Sequence, residues 1–519
     1  MGKIAKELLG GTITNYALLI ARIACAVFMT RILFLGLGES NYGFWSLLWA
    51  VFGYSVFLDF GFGQAIQKFT AETDVKDGIH VFNKIISTVM SLFCAFSFVI
   101  VIASLVIACY LDRIFNLGTD SAENIRYLKI SFAVFGIGVA AVFPTGIFPE
   151  ILTGIRRFDI RNAILTVNVL LNLAGIYILI SNGYSLLGIA IFSSVLNLLT
   201  NLVMISVIIK VLPGFRISPF LFDMKRLKEV TSFSVYSYIC TVADMFITRV
   251  DRIIIGICLG MGSVGIYQVG TRLPEMMEKL TTQFQATLGP MAASLYKSGD
   301  FEKLRWILLR SAKISAFITG FFFVVFYMLS LQILKIWLKV DDSIAVSVTS
   351  VMLVSIFIGV AFRSTQGKFL LMAGGHRKQA VINVAYAALN IALIAAVVKP
   401  YGVLGTAYAC MISNIIVSVF VVFPLSAKSA KMRISYFLRK VYLPLLVPIV
   451  LSAGSLTVFV HVFKDWDLFR LALASTVSLV LYLASGALFY FERDDIKKLV
   501  DASGAGRIFS RLKAQNEQG

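Results

Sequence analysis

The chain has 519 residues, 58% of them hydrophobic and 14% charged, and its 47 Lys and Arg against 28 Asp and Glu leave a net charge of +19. This excludes a soluble multidomain protein, because the apolar residues come in runs of about 20, the length that crosses a hydrocarbon core of about 30 Å at 1.5 Å per residue. Six cysteines without CxxC spacing and three scattered histidines argue against a disulfide framework or a metal site, and no GxxxxGK[ST] loop is present, so neither a cofactor nor ATP is expected.

In chain order, MGKIAKELLGG lacks the Ser or Thr of a myristoylation site and leads into an apolar run containing Arg22. That run reads as a retained first helix and not as a signal peptide. Fourteen hydrophobic segments follow one another: 13–35, 43–66, 85–110, 127–150, 160–181, 185–209, 230–257, 264–292, 309–331, 344–372, 379–398, 402–424, 436–461 and 468–490. The fold class predicted is an all-α polytopic membrane protein.

The charges orient these spans. With a cytoplasmic N-terminus, the external loops hold Arg113, Arg126, Lys335, Lys339, Lys399, Lys464 and Arg470. The cytoplasmic segments hold far more, among them Arg156 and Arg157, Lys225, Arg226 and Lys228, and Lys428, Lys431 and Arg433. This is the positive-inside pattern of a multi-pass inner-membrane protein with both termini cytoplasmic. It assigns the positive charge to topology and to anionic lipid headgroups, and not to nucleic acid. The external loops are short, the longest running over 111–126, which leaves no room there for a folded catalytic domain.

The chain also resembles itself. LGESNYGFW (37–45) aligns with LGMGSVGIY (259–267) at an offset of 222, and RIL at Arg31 aligns with RII at Arg252 one residue out of phase. GIRRFDIRN (154–162) aligns with GHRKQAVIN (375–383) at 221, and GIAIFSSVLN (188–197) with GTAYACMISN (405–414) at 217. The matched Gly, Arg and Asn positions indicate a duplication of six spans. An even number keeps both copies in one orientation, related by an axis along the membrane normal. The expected organisation is an N-lobe over 1–210, a cytoplasmic linker over 211–229, a C-lobe over 230–426, two further spans to 490, and a cytoplasmic tail over 491–519.

Charges inside spans cost at least about 2.5–3.5 kcal/mol each and persist where they meet water, a partner or a ligand. Ser237, Thr241, Asp244, Thr248 and Asp251 fall on one helical face, with Arg249 and Arg252 off it. Gln268, Arg272, Glu275, Lys279 and Thr282 form a second stripe with Glu278 beside it, and Pro274 lies within it. Arg363 and Lys368 lie in the tenth segment, Arg22 and Asn15 on one face of the first, and Asp59 in the second. Interhelical ion pairing accounts for some of these. It does not account for the set, because Arg22, Arg249, Arg252, Arg272, Lys279, Arg363 and Lys368 outnumber Asp59, Asp244, Asp251, Glu275 and Glu278. A surplus of fixed cation implies an anionic guest, and Arg suits phosphate oxygens.

The fourteen-span plan, the repeat, the block from Arg31 to Leu47 (RILFLGLGESNYGFWSL) and LDFGFGQAI (58–66) resemble the Wzx-type polysaccharide flippases of the multidrug/oligosaccharidyl-lipid/polysaccharide (MOP) exporter superfamily. The resemblance implies two six-helix lobes around a cavity bordered by spans 1, 2, 7 and 8. It implies movement of undecaprenyl-diphosphate-linked oligosaccharide from the cytoplasmic to the outer leaflet, with Arg22 and Arg272 matching the family's cavity arginines. Polysaccharide polymerase and chain-length proteins are then candidate partners, and H⁺ or Na⁺ a candidate counter-ion. The candidate substrate-binding set is Arg22, Arg249, Arg272, Arg363, Lys279, Lys368 and Asn15, and the candidate ion-coupling set is Asp59, Asp244, Asp251, Glu275 and Glu278. The alternative is a cation-coupled multidrug exporter of the related MATE branch, against which the arginine surplus argues.

Overall fold

The computed structural model describes residues 2–53, 62–63, 66, 70, 78–115, 117, 121–155, 157–285, 301–372, 376–430 and 432–491. Among these residues every regular element is helical. Asp59 lies outside the described residues, as do the side chains of Ser237, Thr241, Asp244 and Lys368.

The chain divides into two compact units, 1–269 with 380–409, and 270–379 with 410–519. The first unit contains α1 (Gly2–Leu37), α2 (Glu39–Gly53), α3 (Ile79–Cys109), α4 (Ala122–Val142), α5 (Ile147–Gly154), α6 (Phe158–Ser181), α7 (Leu186–Val211) and α8 (Met224–Cys258). Helix α9 (Met261–Gln285) contributes its residues up to Val269 to the first unit and the rest to the second. The second unit contains α10 (Phe301–Met328), α11 (Ser343–Gly359), α12 (Thr365–Met372), and, beyond α13 (His376–Ile415), α14 (Leu446–Val462) and α15 (Leu468–Ser485).

Among the described residues, ten helical stretches are long and apolar enough to cross a membrane. One of them, Lys378–Ser429, has 52 residues. At 1.5 Å per residue it is more than twice as long as a single crossing needs. It is broken where Gly402 adopts φ 61° and ψ −148°, beside Lys399 and Pro400, so the segments expected at 379–398 and 402–424 both fall within it. The segments expected at 43–66, 230–257 and 264–292 begin on α2, α8 and α9 and are not among the ten; the first and last of them lie in part outside the described residues (54–61, 64–65 and 286–292). Helices α8 and α9, with 35 and 25 residues, are long enough. Their Ser, Thr and charged residues dilute the apolar character that defines the others.

Helix starts follow local chemistry. Ser121 Oγ accepts from the Asn124 amide, Asp342 Oδ1 from Ile344, and Asp467 Oδ1 from Arg470, capping α4, α11 and α15. Each such cap satisfies an otherwise orphaned N–H and is worth about 1 kcal/mol. Lys129, at the start of α4, donates to the Cys109 carbonyl and pairs with Asp112 at 2.7 Å.

Within the first unit, α1 packs along α6, α4 against α3 and α7, and α8 against α2 and α3. Small residues permit these approaches. Two glycines of the repeated block meet backbone directly: a Cβ on Gly43 would lie 2.0 Å from the Met261 carbonyl oxygen, and one on Gly265 would lie 2.4 Å from that of Glu39. Close approach of this kind is how helices associate in a solvent as apolar as their own side chains. In the second unit, α10 packs on α11, α12 and α14, and α14 pairs with α15. Its aromatic core places Tyr482 against Phe317, with the Tyr482 hydroxyl donating to the Phe317 carbonyl at 2.8 Å.

Candidate functional site

The first unit draws one polar cluster around Arg22 and Asn15. Asn162, near the start of α6 and 1% exposed, donates from Nδ2 to Asn15 Oδ1 at 2.7 Å and to Thr14 Oγ1 at 3.1 Å. Its own Oδ1 accepts from Arg161 Nη1 at 3.3 Å. Arg22 lies on α1, which packs along α6, the helix that carries Arg161. Among the described residues neither arginine has a carboxylate partner, and Arg161 Nε is buried with no hydrogen-bond acceptor. Guanidiniums without carboxylate partners offer planar forks of donors that match phosphate oxygens.

Arg249 stands elsewhere in the same unit. Its Nη1 donates to the Trp49 carbonyl at 2.7 Å, and the guanidinium occupies the space beside Gly53 that a Cβ would fill. It borders a cavity of about 440 Å³, walled by Trp49, Phe52, Phe93, Phe135 and Phe143 and by Glu150, Ser193, Ser194 and Asn197. Asp251, on the same helix, is buried with both oxygens engaged. Oδ2 accepts from the Tyr267 hydroxyl at 2.7 Å and Oδ1 from the Arg252 amide at 2.8 Å, which ties α8 to α9. Asp244 lies in α8, seven residues before Asp251.

In the second unit, Arg272 and Glu275 form a half-exposed ion pair at 3.4 Å, one turn apart on α9. Glu278 is half-buried and Lys279 exposed on the same helix, which continues through Pro274. Arg363 lies in a π-helical turn, Val360–Ser364, between α11 and α12. Such turns replace regular i−4 bonding and recur at functional sites. Beside it Gln366, fully buried, donates to the Ala361 carbonyl and to the Tyr442 hydroxyl. Lys368 lies in α12.

Arg161 and Asn162 were visible in the sequence only as part of the repeated block GIRRFDIRN, where charge reads as topology. A buried asparagine opening an apolar run was the available signal. Glu150, Ser193 and Asn197 gave none, because single polar residues in apolar runs are ordinary helix packers.

A family model described as polysaccharide biosynthesis protein matches residues 9–295, more than half of the chain. The chain belongs to this family. Comparison with curated proteins gives no match in sequence. Among solved structures, this member of the polysaccharide biosynthesis family is similar to the lipid II flippase MurJ in an inward closed conformation, at TM-score 0.72 and 17% identity, over 92% of this chain and 98% of that one. It is also similar to an inward-facing multidrug resistance MATE family transporter of the MOP superfamily, at TM-score 0.68 and 15% identity, over 80% and 94%. A third similar structure is a MOP superfamily transporter from Pyrococcus furiosus Vc1 described as having a binding pocket of reverse polarity, at TM-score 0.54 and 16% identity, over 82% and 94%. At these identities the likeness shows the fold. The protein is a multi-pass membrane protein of the polysaccharide biosynthesis family with the fold of MOP-superfamily transporters.

Proposed function

We propose that this protein is a flippase that moves an undecaprenyl-diphosphate-linked oligosaccharide from the cytoplasmic to the outer leaflet of a bacterial inner membrane by alternating access. The observation that carries the reading is that Arg22 on α1 and Arg161 on α6, helices packed along each other, have no carboxylate partner among the described residues, with Arg161 bonded to Asn162 and Asn162 to Asn15. A diphosphate is the anion that such a pair suits, and a cationic drug is what it repels. The family assignment and the MOP fold support the reading, as does the likeness in fold to MurJ, a lipid II flippase.

In this reading Arg22 and Arg161 take the diphosphate, and Arg249, Arg272, Lys279, Arg363, Lys368 and Asn15 line its path as cations and hydrogen-bond donors. The sequence lobes 1–210 and 230–426 are the moving bodies, joined by 211–229. Both termini lie in the cytoplasm. An inside-negative potential favours outward movement of the anion by about 2.3 kcal/mol per charge per 100 mV. A returning H⁺ or Na⁺ resets the carrier, with Asp244 the favoured ligand and Asp59, Glu275 and Glu278 further candidates. A polymerase and a chain-length protein receive the product outside.

The test is transport of undecaprenyl diphosphate oligosaccharide in proteoliposomes by purified Arg22→Gln and Arg161→Gln variants. Each is expected to lose at least about tenfold in rate while remaining folded, the loss of one charge-assisted bidentate contact. Wild-type rates in both would remove the assignment, and resistance to cationic drugs with no glycan transport would favour a MATE-type exporter.

A further inference from the structure

A second cavity, of about 540 Å³, opens where the short helix Ser330–Leu338 faces the turn between α14 and α15, within the second unit. No residue assigned to the diphosphate path lines it. The span Leu308–Met328 precedes the short helix and the span Ile434–Val462 precedes the turn, so both segments emerge at a membrane surface. Lys335 and Lys464, which line the cavity, belong to the loops that the charge pattern places outside.

The two walls are built differently. The short helix buries Ser330, Leu334 and Leu338 on one face, packs on α11 and α15, and leaves Lys335 exposed. The turn is braced by Arg470. Its amide caps onto Asp467 Oδ1 at 2.7 Å, its Nη1 donates to the Asp465 carbonyl at 2.6 Å, and its guanidinium lies 5.7 Å from the centre of the Phe463 ring. Phe463 in turn meets Trp466 edge-on at 5.6 Å. Aromatic rings and lysines gathered at a span end belong to the headgroup level of a bilayer.

These braces use backbone and rings and leave two side chains over. Lys464 and Asp465, neighbours in the chain, carry opposite charges into the cavity lining, and neither meets an oppositely charged side chain among the described residues. Lys335 engages Asp341 at 2.8 Å, and an ammonium has three donors, so two are left. The Gln332 amide and the Trp466 indole N–H line the same space without a hydrogen-bond partner among the described residues. His461 is turned back on α14, with Nδ1 at 2.8 Å from the Thr457 carbonyl.

We infer that this cavity holds the headgroup of a bilayer phospholipid that carries both a phosphate and a primary amine. Lys335 and Lys464 take the phosphate, Asp465 takes the amine, and Gln332 and Trp466 donate to the remaining oxygens. Two ammoniums beside one carboxylate match a zwitterion. A purely anionic headgroup would leave Asp465 facing like charge, and a diphosphate would do so more strongly. A quaternary amine has no N–H to give the carboxylate. The inference stands apart from the flippase reading, because it concerns the surrounding bilayer and not the cargo.

The experiment is native mass spectrometry of the full chain from micelles holding equal amounts of phosphatidylethanolamine, phosphatidylglycerol and phosphatidylcholine with identical tails. Wild type is expected to retain phosphatidylethanolamine as its first bound lipid at least fivefold over either of the others. Asp465→Asn should bring phosphatidylethanolamine down to the level of phosphatidylglycerol, with phosphatidylglycerol itself held as well as before. Lys335→Gln with Lys464→Gln should weaken all three lipids severalfold. Lys339→Gln, which removes a nearby lysine outside the lining, should change nothing. No preference in wild type, a preference that survives Asp465→Asn, or an equal loss in Lys339→Gln overturns the site. Displacement of the lipid by an equal concentration of soluble phosphoethanolamine would make this a solute site, and displacement by undecaprenyl diphosphate would make it a passage for the cargo; either result overturns the inference.

Discussion

Gly43 and Gly265 occupy equivalent places in the duplicated sequence, 222 residues apart, and each faces the backbone of the other's segment. A Cβ on Gly43 would meet the carbonyl of Met261, and one on Gly265 the carbonyl of Glu39; these two residues are also separated by 222. The contact is therefore reciprocal, as at a two-fold interface between identical surfaces. Backbone cannot swing aside as a side chain can. Gly43→Ala and Gly265→Ala should each destabilise the protein by about 1–3 kcal/mol, read as a lower thermal midpoint in detergent. The double variant should lose less than the sum, because the two changes open one contact. Wild-type stability in either single variant would show that the helices separate without cost.

Gly53 makes the contrasting case. The group in the way of its Cβ is the Arg249 guanidinium, at 1.5 Å, the mobile end of a long side chain. Gly53→Ala should move that guanidinium off the Trp49 carbonyl with little change in stability. Its transport defect should match that of Arg249→Met. Proteoliposome transport measured side by side checks this, and unequal rates would separate Gly53 from the arginine.

Asp251 is expected to hold α8 to α9 and not to carry the counter-ion, because protein donors engage both its oxygens. Removing one donor with Tyr267→Phe weakens a hydrogen bond to a buried charge and should cost about 1.5–3 kcal/mol. Asp251→Asn should lower stability while leaving the dependence of transport on Na⁺ or pH as in wild type. Transport rates across ionic gradients decide it, and an altered ion dependence would return Asp251 to the coupling set.

The Lys129 ammonium, hydrogen-bonded to Asp112, holds that exposed carboxyl below the usual carboxylate range. A depressed folded pKa gives stability that is present above the unfolded value of about 3.9 and is lost as pH falls through the folded value. The pair should therefore contribute no pH dependence between about pH 5 and 8, far above that value. A carboxyl NMR titration of Lys129→Met should show Asp112 returning upward to the ordinary range.

The sequence by itself determined what kind of molecule this is. Apolar run length needs only a 1.5 Å rise and a bilayer of known thickness, and a glycine shared by two halves of one chain marks a backbone position before any partner is known. Thus Gly43 and Gly265 were matched from their flanking residues alone. The surplus of intramembrane arginine also needed only counting. What only the tertiary structure decided is who meets whom. Arg22 was legible as an unusual charge, but Arg161, on the helix packed along α1, lies 139 positions along the chain and looked like topology. Asp251 shared a helical face with Asp244, and only the fold shows Tyr267 reaching across from α9 to donate to its carboxylate. Ser193 and Ser206 are indistinguishable on paper. Ser206 bonds its own helix and Ser193 borders a cavity, because helical periodicity sets which residues share a face and only packing between helices sets what that face meets.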